Sequence, residues 1–183
     1  MNHFEIVQSE AMGHHGIFTF QQAKKLGIVS PELARWSKAG RILKVGHGVY
    51  RLASYPAEGV VTDMASLLAA VGDGSYLYGE SVLGFLGLCP TRSYVAFVAT
   101  PNRVRKKLGD GVVIVAGERE YRPLYENGIP CQRVVDAVLA SVGTVEQTRL
   151  FDAIAAAEQK GYLEETEARG LKARIESGYA AAK

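Results

Sequence analysis

Apolar positions recur at helical spacing at the start of the chain. Phe4, Val7 and Ala11 share one face and predict a helix from Phe4 to about His14. Thr19-Phe20-Gln21-Gln22 then has the form of a capping box, in which hydroxyl and amide side chain each serve a free backbone N–H. It opens a short helix from Phe20 to Leu26, stopped at Gly27, which tolerates positive φ. After Ile28-Val29, Ser30 reads as an N-cap and Pro31 as the first helical residue, where its missing donor does no harm. This third helix runs from Pro31 to Ala39 and ends at Gly40. On it Leu33 and Trp36, three apart, are expected in the core, which leaves Glu32, Arg35 and Lys38 pointing outward. Two β-prone runs follow, Arg41 to Val45 and Val49 to Leu52. They flank Gly46-His47-Gly48 and predict a tight hairpin.

The rest of the chain mixes the two periodicities. A polar connection from Ser54 to Gly59, containing Pro56, marks the expected boundary between a domain at 1–53 and a second at 59–183. Val60 to Val71 reads as a helix, Tyr76-Leu77-Tyr78 as a strand, and Glu80 to Leu86 as a helix ending at Gly87. Tyr94 to Thr100 and Val112 to Ala116 are rich in β-branched or aromatic residues and read as strands. Between them Arg103, Arg105, Lys106 and Lys107 form a basic run before the turn Gly109-Asp110-Gly111. It reads first as a solvated hairpin tip, with a second phosphate contact or partner-binding loop as the alternative. Arg133 to Val142 is a helix. A second capping box at Thr144 to Gln147 opens another, to about Lys160, and Glu164 to Ser177 closes the chain. The expected class is α+β, a winged helix-turn-helix followed by a small α+β domain ending in helices.

The N-terminal order carries the functional expectation. Two short helices joined by a three-residue turn with glycine fit a helix-turn-helix and an unrelated helical hairpin equally well. A basic hairpin directly after the third helix decides for a winged helix. If that helix enters the major groove, Arg35 is the candidate for base-edge readout, because its fork can pair with guanine O6 and N7. Lys38 is expected on phosphate, and Ser30 at a phosphate near the helix N-terminus. Glu32 shares the outward face, and Arg41, Lys44, His47 and Arg51 are placed to reach backbone or minor groove. The alternative is that these charges only solvate a small domain.

Charge supports the expectation through its distribution. The chain of 183 residues has a net charge of +2. Residues 1–52 hold seven Lys and Arg against three Glu, a net +4, so the remainder, with fourteen against sixteen, is at −2. No run of eighteen apolar residues and no basic-then-apolar leader occurs, so neither a membrane span nor a signal peptide is expected. Cys89 and Cys131 match no zinc spacing and are expected to be reduced and buried, as in a cytoplasmic protein.

Catalytic patterns are sparse. There is no Gly-x-Ser-x-Gly elbow and no phosphate-cradling glycine loop. A nuclease would need an acidic residue and a Glu-x-Lys on adjacent strands around magnesium. The Glu158-Gln159-Lys160 run falls in a predicted helix with no strand before it. All four histidines, His3, His14, His15 and His47, lie in the first fifty residues, remote in sequence from both cysteines. The expectation is a protein without catalytic activity, cofactor or metal.

Gly16-Ile17-Phe18-Thr19, Ala23, Leu26-Gly27-Ile28, Leu33, Gly40-Arg41-Ile42 and Gly48-Val49-Tyr50 together resemble the N-terminal winged helix of AbiEi-type antitoxins, from abortive-infection toxin–antitoxin systems. The Gly-Val-Tyr ending after a basic hairpin is the most specific part. Where that family has an arginine-dense third helix, this chain has Ala34 and Ser37 among the outward positions. A looser likeness continues through Tyr78-Gly79-Glu80-Ser81, Leu86-Gly87-Leu88, Thr100-Pro101, Ile129-Pro130 and Val135-Asp136. The resemblance implies binding to double-stranded DNA repeats in the protein's own promoter. It also implies a nucleotidyltransferase toxin countered without a stable complex. The chain is not itself that toxin, whose Gly-Ser turn is followed by paired aspartates that are missing after Gly74-Ser75. One winged helix reads one half-site, so two copies on inverted repeats or a basic surface on the second domain is implied. The reading from another class is a module whose winged helix binds protein while the second domain senses a ligand.

Overall fold

The computed structural model describes residues 2–56, 59–89 and 95–181. The chain divides into two compact units, Met1–Asp73 with Asn127–Ile129, and Gly74–Glu126 with Pro130–Lys183. The division thus falls after residue 73, not within the 54–59 connection.

The first unit begins with α1 (His3–Met12), β1 (Ile17–Thr19), α2 (Phe20–Lys25) and α3 (Ser30–Lys38). It continues with β2 (Ile42–Gly46), β3 (Val49–Leu52) and α4 (Val60–Val71). Asn2 caps α1 through a full box with Glu5, and Thr19 caps α2 through the expected box with Gln22. The turn after α1 leaves helical geometry at His15 and Gly16, both at positive φ. Gly16 has a second reason to lack a side chain, since a Cβ there would stand 2.4 Å from that of Tyr55. The strands pair antiparallel in the order β1-β3-β2. β1 has no counterpart in the sequence reading, because three residues are too few to show alternation.

Register separates the two faces of this sheet. Phe18, Ile42 and Leu52 face the helices and join Phe4, Val7, Ala11, Leu33 and Trp36 in one buried cluster. Ile17, Thr19, Val49 and Arg51 occupy the opposite face. Ile17 and Val49 are nevertheless only 3% and 1% exposed. The cover is α4, which packs on all three strands.

The second unit contains β4 (Tyr76–Leu77), α5 (Glu80–Phe85), β5 (Ala96–Thr100), β6 (Val112–Ala116), β7 (Leu124–Glu126) and, apart from its first residue, β8 (Ile129–Cys131). Three helices follow, α6 (Val134–Ala140), α7 (Gln147–Gln159) and α8 (Glu165–Ala181). The sheet order is β6-β5-β4-β8-β7, with β4 antiparallel to β5 and parallel to β8. Asn127 and Gly128, both at positive φ, form the two-residue turn between β7 and β8. That Asn-Gly pair was the available signal for a hairpin the sequence reading missed. Tyr94, the expected start of β5, lies outside the described residues.

Two expectations need correction here. β5 and β6 pair in parallel, Ala96 with Val112 through Thr100 with Ala116, so the basic run between them is a crossover and not a hairpin tip. The box expected at Thr144 does not form. The Thr144 hydroxyl donates back to the Ser141 carbonyl at 3.2 Å, and α7 begins after Glu146 without a side-chain cap. On α7, Leu150, Ala153, Ile154 and Ala157 are fully buried; α7 packs against α8, whose Ala168, Leu171 and Ile175 are also buried. Small alanine side chains let two helices approach closely. Among the described residues no helix is long and apolar enough to cross a membrane.

Candidate nucleic-acid interface

α3 sits between a core face and a solvent face. Leu33 and Trp36 are buried, and the Trp36 ring meets Phe4 edge-on at 5.2 Å between centroids. The opposite side presents Arg35, whose side chain is 72% exposed, together with Ala34, Ser37 and Lys38. This is the division expected from the spacing of Leu33 and Trp36.

Ser30 and Glu32 stand differently from expectation. The N-cap is Val29, and Ser30 is the first residue of the helix. Glu32 performs the capping instead, one carboxylate oxygen accepting from the Val29 N–H at 3.2 Å. Its other oxygen lies 2.9 Å from His3 Nδ1, tying the start of α1 to α3. The hydrogen bond from His3, followed by that from the Val29 N–H, holds the Glu32 carboxyl below the usual carboxylate range. Glu32 therefore turns toward α1. Arg35 is 3.9 Å from the same carboxylate, an exposed contact that leaves the guanidinium free to move.

The wing is equally selective about its cations. Lys44 and His47 are exposed, and the wing is tied to α2 by the Phe20 N–H donating to the Gly48 carbonyl at 2.8 Å. Arg41 stacks with its guanidinium carbon 3.4 Å from the Phe4 ring centroid. It borders a groove of about 530 Å³ whose lining includes His3, Glu32, Arg35 and Trp36. Arg51 is half-buried and stands apart from the other wing cations. It pairs in register with Ile17 and Leu43 on the sheet face that α4 covers, and its Nε is buried with no hydrogen-bond partner among the described residues. A local pattern of alternating residues could not reveal this, because the cover comes from a later helix.

Three exposed side chains went unnominated in the sequence. Lys24 and Lys25 lie in the last turn of α2, where cations are also expected for dipole reasons alone. Val29 is 55% exposed at the start of α3, a position where an apolar group can meet a thymine methyl. The basic run Arg103 to Lys107 belongs to the second unit, and its four cations are exposed.

Groups that could suggest catalysis have other engagements. Lys160 donates to the carbonyls of Leu86 and Gly87 at 2.8 and 3.1 Å, closing the C-terminal end of α5. Cys131 is buried, and burial first, then the charge of Glu126, pushes its thiol up to about 12, which suppresses the thiolate. Tyr121 donates to Asp136 at 2.8 Å and accepts from the Arg133 N–H at 2.8 Å.

A helix-turn-helix with a short third strand, a wing and an exposed basic face on its third helix gives the first unit the architecture of a winged helix. More particularly, residues 5–53 are similar to the family described as transcriptional regulator, AbiEi antitoxin. No curated protein matches the chain.

Proposed function

We propose that the chain is an autorepressing antitoxin of a type IV toxin–antitoxin system. In this reading two copies occupy inverted repeats in the promoter of the chain's own operon and block transcription. The chain counters a nucleotidyltransferase toxin without forming a stable complex with it. The observation that carries the DNA-binding part is the two-sided α3, with Leu33 and Trp36 locked in the core and Arg35 and Lys38 free on the other face. Arg35 reads a base edge and Lys38 meets phosphate. Ser30 offers its hydroxyl at the helix N-terminus, where backbone N–H groups and the dipole favour an anion. Lys44 and His47 on the wing, with the outer rim of Arg41, contact the backbone. Glu32 acts as a positioning residue for α1 and α3.

The test is fluorescence anisotropy of a labelled promoter fragment against the intact chain at several salt concentrations. Affinity should fall steeply with salt, as counterion release requires. Arg35→Ala with Lys38→Ala should weaken promoter binding by roughly tenfold to a hundredfold, since one good base contact contributes about 1–3 kcal/mol of discrimination. Absence of promoter binding at low salt would overturn the reading. The toxin arm is tested by co-expression with a nucleotidyltransferase toxin of such a system. Growth should be rescued with no complex surviving gel filtration.

A further inference from the structure

The parallel pairing of β5 and β6 changes what the basic run between them is. A hairpin tip would gather its charges at one end of the sheet. A parallel connection must return the chain along the length of the pair, about 13 Å for five paired residues at a rise of ~3.3 Å each. Such crossovers usually contain a helix. This one, residues 101–111, contains no helix or strand. Its pattern is nevertheless ordered, because Val104 and Leu108 are half-buried while Arg103, Arg105, Lys106 and Lys107 are all exposed. The two apolar residues hold the segment down and the four cations point away. No Asp or Glu occurs from residue 95 to residue 109; the nearest acid along the crossover is Asp110. None of the four cations has a hydrogen bond or ion pair among the described residues. The strand beside them adds no charge, since β6 presents the apolar side chains Val113 and Ile114, 40% and 37% exposed.

We infer that this crossover is a second, sequence-independent nucleic-acid contact that binds the phosphate backbone of duplex DNA. A stripe of cations that are unpaired among the described residues and spaced along a return path suits a polyanion with regularly spaced charges. The stripe offers no built pocket, so it positions and strengthens without reading bases. It deepens the DNA-binding reading and rests on it only for the choice of duplex DNA as ligand. In an intact chain it would raise affinity through added phosphate contacts, which an α3 carrying Ala34 and Ser37 supplies sparingly.

The test uses the intact chain with Arg103, Arg105, Lys106 and Lys107 all changed to alanine, titrated with the promoter fragment and with an unrelated duplex across a salt series. The slope of log affinity against log salt should become shallower by about 2–4, at roughly 0.9 per lost phosphate contact. Affinity at moderate salt should drop at least tenfold on both duplexes alike. Arg103→Lys with Arg105→Lys should restore most of the slope, which a folding defect would not allow. A second arm starts from the Arg35→Ala, Lys38→Ala chain, which should keep weak, salt-dependent binding to any duplex and lose it when the crossover is neutralised. An unchanged slope in either background would overturn the inference, as would equal competition by poly-glutamate of matched charge, which would mark a site for acidic polypeptides. Failure of promoter recognition with loop-dependent duplex binding retained would remove the repressor reading and leave this one standing.

Discussion

The two basic stretches of this protein, residues 30–51 and residues 103–107, look alike in sequence and differ in how much charge they leave free. In the first, Glu32 is bound to His3 and the Val29 N–H, Arg41 lies on the Phe4 ring, and Arg51 is half-buried with its Nε inside. Among the described residues Arg35, Lys38, Lys44 and His47 stand clear of such contacts or nearly so. In the second, every cation is exposed and unpaired among the described residues. The first stretch builds a shape that can enter a groove, and part of its charge is consumed in holding that shape. The second has no shape to hold beyond two anchoring side chains. Charge density along a sequence therefore overstates the interface where the fold is local and compact, and understates it where the chain merely crosses a sheet.

The largest expected effect separates shape from charge within α3. Trp36→Ala should destabilise the first unit by roughly 3–5 kcal/mol, because it deletes a large buried ring that packs on Phe4. Its neighbour Arg35→Ala should change stability by less than about 0.5 kcal/mol, as exposed substitutions do. Denaturant unfolding of both variants beside the parent measures the difference. Comparable losses in the two would mean that Arg35 is also spent on the fold.

A smaller effect is expected from acid. Glu32 has its carboxyl held below the usual range by His3 and the Val29 N–H. A depressed carboxyl pKa stabilises the fold fully above the ordinary carboxylate range, and that contribution is lost as pH falls through the folded-state value. The melting temperature of the parent should therefore decline more steeply with acid than that of Glu32→Gln, which lacks the titrating group. Parallel pH profiles would show that the His3 contact does not form in solution, and would return Glu32 to the outward face.

What could be read in the sequence was whatever the nearest neighbours decide. The Thr19 box, the Leu33–Trp36 face and the glycine-flanked wing all depend on residues within a few positions of one another. The misreadings share a non-local cause. β1, β7 and β8 are three residues long, so pairing defines them and periodicity does not. The parallel partner of β5 is fixed by the second sheet, which left the basic run looking like a hairpin tip. Ser30 is the exception, a local misreading: Glu32, two residues on, serves the Val29 N–H and so makes Val29 the cap position.

The smallest expected effect is the most exacting for the comparison, because it predicts almost nothing. Arg51 lies on the α4 side of the three-stranded sheet, paired with Ile17 and the exposed Leu43; it is half-buried, with its Nε buried and unpartnered among the described residues. Replacing a buried donor that has no acceptor by an apolar chain of similar length is close to neutral or mildly stabilising. Arg51→Met should therefore alter unfolding by less than about 1 kcal/mol and leave both promoter affinity and its salt slope unchanged. A contact with one phosphate would instead make the slope shallower by about 0.9. That outcome would mean the exposed part of the Arg51 guanidinium reaches DNA as a further wing contact. The unchanged slope would confine the wing's contribution to Lys44, His47 and the rim of Arg41, beside Arg35 and Lys38 on α3.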